Sequence, residues 1–115
     1  MITKQSRISY QAATFTICLD QLVARFGDTL NNLTTVDKLD LLAILAFWQS
    51  TDTRNLESDS QLISLGEYLS LCPGLQDATS ADVDEALRLL SDCSEGDSMT
   101  LMAAIIHQLN AYRQG

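Results

Sequence analysis

One histidine, His107, and three cysteines, Cys18, Cys72 and Cys93, make up the chain's short inventory of strongly reactive side chains. Nucleophilic catalysis needs a nucleophile with a base in reach, and zinc needs three or four ligands, commonly in short paired spacings. The cysteines are odd in number and far apart, which reads as reduced thiols rather than a zinc, redox or disulfide framework. His107 follows Ile106 in an apolar segment, where a partly buried helix histidine is expected. Asp37 and Asp40 stand at i, i+3 and share a helix face, but they open an apolar segment, where acids favour the helix dipole. Gly96-Asp97-Ser98-Met99 sets a serine at the start of another apolar segment, and its simplest reading is a helix cap. There is no Gly-rich phosphate loop. This inventory points away from an enzyme, and no cofactor or metal is expected.

The elements that would position these residues follow from apolar spacing. Phe15, Leu19, Leu22, Val23, Phe26, Leu30 and Leu33 step by three or four, which predicts a first helix over about Ser9–Leu33, with a break or kink at Gly27 as the alternative. Thr34-Thr35-Val36-Asp37 is a capping pattern ahead of a second helix over about Val36–Ser50. Thr51–Ser58 lacks periodicity and reads as a polar loop. Ser60 then caps a short third helix that Pro73-Gly74 ends. Thr79, Ser80 and Asp82 repeat the capping pattern for a fourth helix, and a fifth runs over about Ser98–Tyr112. A weak correspondence at a shift of 45, Thr34/Thr79, Asp37/Asp82 and Leu42/Leu87 among others, follows mostly from shared capping. No segment alternates as a strand would. The fold class is therefore all-α, a compact bundle of about five helices in one domain over 1–115, with 1–8 flexible.

Composition bounds the function. The 115 residues are 46% hydrophobic and 19% charged, with a net charge of −8. That balance is globular, and the acidic field repels nucleic acid and anionic membrane surfaces. The longest apolar run, Leu41–Trp48, is too short to cross a bilayer, and no signal peptide is legible, so a soluble, cytoplasmic protein is expected. Apolar residues surround nearly the whole second helix and cover more than one face of the fifth. A small bundle seldom encloses two such helices, and the surplus predicts a homodimer seam or a partner groove. Phe47, Trp48, Met99, Met102 and Tyr112 suit such contacts by their area and adaptable packing. Between Asp77 and Asp97 the chain carries acids with only Arg88 against them, and Asp82, Asp84 and Glu85 would form an acidic rim that favours a segment with basic residues.

Two resemblances qualify this reading. Gly96-Asp97-Ser98-Met99 resembles the Gly-Asp-Ser-Leu signature of acyl and peptidyl carrier proteins, which implies a phosphopantetheine arm on Ser98. Only 17 residues follow Ser98, too few for the helices that complete the carrier fold, and the upstream aromatic pair is missing. Ala24-Arg25-Phe26, Leu30, Leu33, Asp37, Leu39, Leu41 and Leu42 up to Phe47-Trp48 look like the first helical repeat of the N-terminal domain of cyanobacterial orange carotenoid proteins. The resemblance spans about 25 residues and implies a helical fold and a cyanobacterial source. Trp48 is the only tryptophan and the later pigment-facing aromatics are unmatched, so carotenoid binding is not carried over. The leading expectation is a non-enzymatic adaptor or assembly chaperone that captures a segment of a partner protein in an apolar groove with an acidic rim. The alternatives are a carrier protein modified on Ser98 and a carotenoid- or lipid-binding helical domain.

Overall fold

A computed structural model describes residues 4–11 and 16–114, apart from the side chains of Gln76, Arg113 and Gln114. Among these residues there is no strand, and the chain is an all-α bundle: a 3₁₀ turn at Lys4–Ser6, then α1 (Ile8–Gln11), α2 (Ile17–Phe26), α3 (Thr35–Glu57), α4 (Leu65–Leu71), α5 (Gly74–Asp77), α6 (Ala81–Leu89) and α7 (Glu95–Gln114). Helices α2, α3, α6 and α7 enclose the core. Helix α4 packs on α3 and α6, while α1 and the 3₁₀ turn pack on α7.

Each long element buries one stripe. Leu19, Leu22 and Phe26 of α2 meet Leu41, Ile44, Leu45 and Trp48 of α3, Val83, Ala86 and Leu87 of α6, and Leu101, Ala104 and Ile105 of α7 in one cluster. A fully buried leucine in such a cluster contributes on the order of 2 kcal/mol relative to an exposed one.

The first expected helix is in fact broken. Its residue Phe15 lies outside the described residues, and α2 stops at Gly27, whose φ of +93° suits glycine and whose Cβ, if present, would collide with the Asn31 side chain. Leu30 follows with φ +53°, a left-handed conformation that is costly for leucine and is held because the side chain is fully buried. The periodicity of Leu30 and Leu33 therefore reflects a loop that reaches into the core, which helical spacing cannot distinguish from a continued stripe.

The second helix is longer than expected. Thr34 and Asp37 form the reciprocal capping box at its start, and the helix runs through the stretch Thr51–Ser58 that reads as a loop. Polar side chains hold that extension: Thr53 Oγ1 donates to the Gln49 carbonyl, and Arg54 donates to Ser50 Oγ. The end is a Schellman arrangement. Asp59 takes φ +58°, the Ser60 amide donates to the Asn55 carbonyl at 2.7 Å, and the Asp59 amide donates to that of Leu56. Ser60 thus closes α3 instead of opening α4, whose capping box is Ser64 with Glu67.

The remaining starts also move slightly. Ser80 caps α6 as expected. Ser94 caps α7 by accepting from the Asp97 amide, so Gly96, Asp97 and Ser98 lie inside its first turn. Of the segment 1–8, expected to be flexible, residues 1–3 lie outside the described residues; in the remainder Ser6 and Ile8 are buried, and Gln108 Nε2 donates to the Ser6 carbonyl at 2.7 Å.

Two hydrogen bonds tie helix starts to each other across the bundle. Ser80 Oγ donates to Asp37 Oδ1 at 2.9 Å, joining the α6 cap to the α3 capping box. Thr16, the α2 cap, donates from Oγ1 to Asp97 Oδ2 at 2.9 Å, joining α2 to α7.

Candidate functional site

The residues expected to bind a partner fall in different environments. Trp48 is a core residue, 2% exposed, with its indole N–H donating to the Ile63 carbonyl at 2.9 Å. It cannot serve as a contact residue, because reaching a partner would empty the centre of the molecule. Met102 is half-buried against the core. Phe47, Met99 and Tyr112 are well exposed, at 61%, 57% and 69%. His107, expected to be partly buried, is exposed on α7.

Exposed apolar area has a definite layout on α3. At about 100° per residue, Val36, Leu39, Ala43, Ala46 and Phe47 fall on one side of the helix, and all five are exposed. The opposite side carries the buried Leu41, Ile44, Leu45 and Trp48. On α7, Met99 and Ile106 are exposed on one side, with the half-buried Met102 and Ala103 between them. Helix α3 thus has an apolar face that the core does not use, whereas on α7 Met102 between the two exposed residues packs on the core.

The acidic residues occupy a different place. Arg25 reaches Glu85 at 3.0 Å and Asp82 at 3.8 Å, so two of the three expected rim acids are paired with α2. Asp84 and Glu85 line an open groove of about 490 Å³ between α4 and α6, with Leu69 and Leu87 beside Gly66, Ser70, Arg88 and Ser91. Gly66 lets α4 approach closely: its amide donates to the Ser91 carbonyl, and an added Cβ would sit 3.2 Å from the Ser91 Cβ. None of Phe47, Met99, Met102 and Tyr112 lines this groove. An acidic groove and an apolar surface both exist, but they are separate.

Ser98 is 1% exposed, and its hydroxyl donates to the Met102 sulfur at 3.7 Å. A modifying enzyme would have to displace α7 to reach it, which weighs against the carrier reading.

One pair of carboxyl groups does meet. Hydrogen bonding of the Glu95 carboxyl toward Asp52, then burial, then the Asp52 charge, would favour its protonated form and raise the Glu95 pKa above its ordinary value. Asp52 is buried and accepts from the Ile63 amide at 3.0 Å, while Glu95 Oε1 is buried with no hydrogen-bond partner among the described residues. Paired acids can perform acid–base catalysis in a cleft, but this pair is engaged in joining α3 to α7. It also bears on stability. A raised folded-state pKa means that the folded protein holds the proton more tightly, so the contribution is present at acid pH and is lost as pH rises through the raised value. Glu95→Gln keeps a donor and cannot ionise. It is expected to add on the order of 1 kcal/mol at neutral pH and nothing at low pH, a difference read from urea unfolding at both.

The cysteines are closer in space than in sequence. Cys18 in the first turn of α2, Cys93 just before α7 and Asp97 in the first turn of α7 place their ligand atoms within 4.8 Å of one another. Burial, then the Cys18 hydrogen bond and charge, then Asp97 and Asp92 push the Cys93 thiol pKa upward. Spacing along the chain could not reveal this group, because its members come from two helix starts brought together by folding. Cys72 lies apart from it.

No family model, curated protein or solved structure matches this chain.

Proposed function

We propose that the chain is a non-enzymatic protein-binding domain, an adaptor or assembly chaperone, whose docking surface is the outer face of α3. The observation that carries this reading is the exposed line Val36, Leu39, Ala43, Ala46 and Phe47 on a helix whose other side is fully committed to the core. A contiguous apolar face of this kind is unfavourable in water and marks an interaction surface more often than chance exposure does. It suits helix-on-helix docking, read as anchors at i, i+3, i+7 and i+11. With a net charge of −8, a partner with basic residues flanking its apolar anchors is favoured over an acidic one. The partner is another protein or a second copy of this chain. No helix among the described residues is long and apolar enough to cross a membrane.

The test separates the face from the fold. Phe47→Asp is expected to weaken binding at least tenfold, about 1.4 kcal/mol or more, to a partner identified by cross-linking in the source cell. If the partner is a second copy, the same variant shifts sedimentation equilibrium from dimer to monomer. Circular dichroism should be unchanged, since Phe47 contributes little to the core. Unaltered affinity in Phe47→Asp and Val36→Asp together would remove α3 as the docking surface.

A further inference from the structure

We propose that Cys18, Cys93 and Asp97 form a binding site for one zinc-class divalent transition-metal ion, with a fourth position open to water or to a partner's side chain. Three ligand atoms of the types that zinc prefers, two sulfurs and a carboxylate oxygen, lie within 4.8 Å of one another. Around a tetrahedral zinc, sulfurs at about 2.3 Å from the metal are roughly 3.8 Å apart. Closing the present arrangement around an ion therefore needs an inward shift of at most about 1 Å, within reach of small side-chain torsions.

The surroundings have the features of a ligand set. Asp97 is oriented by Thr16, whose Oγ1 donates to Oδ2 at 2.9 Å while accepting from the Leu19 amide. Outer hydrogen bonds of this kind fix the direction of a ligating carboxylate. Cys18 and Asp97 each sit in the first turn of a helix, where backbone N–H groups favour the anionic thiolate and carboxylate that bind metal. Cys93 is buried, whereas Cys18 and Asp97 are half-buried, so the group has one dry side and one side through which an ion can enter. On binding, each thiol gives up its proton to solvent and Asp97 binds as the carboxylate. A Cys18–Cys93 disulfide would use the two sulfurs alone, whereas a metal also engages the Asp97 carboxylate that Thr16 holds beside them. The third ligand and its hydrogen bond favour the metal.

The experiment uses the full chain, reduced and stripped with a chelator, then titrated with cobalt(II). The expected result is stoichiometric uptake with thiolate-to-cobalt charge-transfer absorption and the intense visible bands of four-coordinate cobalt, all displaced by zinc. Cys18→Ser and Asp97→Asn should each weaken uptake by about tenfold or more, and Thr16→Val by about tenfold, with Thr16→Ser close to the native protein. Cys72→Ser should change nothing. Circular dichroism on each variant identifies any that fails to fold, and the half-buried Cys18 gives a second thiol variant should the buried Cys93→Ser not fold. The proposal is overturned if saturating cobalt gives no thiolate absorption in the reduced protein. It is equally overturned if uptake persists unchanged in folded Cys18→Ser and Asp97→Asn.

Discussion

Replacing Trp48 with alanine is expected to cost about 3–5 kcal/mol, a large share of the roughly 5–15 kcal/mol that holds a domain of this size together. The loss has two parts. The indole is among the largest fully buried side chains of the core cluster, so truncation leaves a cavity that its neighbours close only in part. Its N–H also donates to the Ile63 carbonyl. One turn further along α3, Asp52 accepts from the amide of that same residue. Both polar groups of Ile63 are thus held by side chains of α3, which fixes the return of the Ser60–Ser64 segment against the helix. Trp48→Phe restores most of the apolar volume but not the donor, and is expected to recover all but about 1–2 kcal/mol of the loss. Urea unfolding followed by far-ultraviolet circular dichroism separates the two terms. Equal stability of the alanine variant and the native chain would show that Trp48 does not hold the core.

Asp37→Ala is expected to cost about 2 kcal/mol, which is more than a solvent-exposed cap gives. Asp37 is 7% exposed and its two oxygens serve different helices: Oδ2 accepts from the Thr34 amide and Oδ1 from Ser80 Oγ. Truncation unmakes half of the α3 capping box and leaves Ser80 with one partner fewer at the start of α6. Thermal unfolding should fall by on the order of 8 °C, taking about 4 °C per kcal/mol for a chain of this length. Ser80→Ala should cost a comparable amount, because it removes the α6 cap on the Val83 amide along with the bond to Asp37. The double variant should cost less than the sum, since the shared hydrogen bond can be lost only once. Strict additivity would mean that the Asp37–Ser80 bond contributes nothing.

Much of the fold is legible in the letters, for local reasons. Thr34 with Asp37, Ser80, and Pro73-Gly74 act through near neighbours, so their short patterns place helix ends well. What the letters conceal is decided by distant partners. The helix over Thr51–Ser58 buries Asp52, and its buried oxygen is met by Ile63, 11 residues further on, which no local pattern announces. Leu30 and Leu33 keep helical spacing although they belong to a loop, since burial imposes on both the same apolar requirement. Phe47 and Trp48 are adjacent and chemically alike, yet one faces solvent and the other is central. Apolar residues all round a helix show that it is crowded, but not which side has no neighbour. The cysteine and aspartate group was hidden for the same reason: its geometry is tertiary throughout.

The two bonds between helix caps bear on the order of events in folding. A cap such as Thr34 can form as soon as its own turn does, at the cost of ordering a few residues. Ser80–Asp37 and Thr16–Asp97 join positions 43 and 81 residues apart, and must wait until the bundle has closed. Interactions absent from the folding transition state do not speed folding; they slow escape from the native state. These two hydroxyls therefore work as latches. They set how long the bundle stays shut more than how quickly it forms.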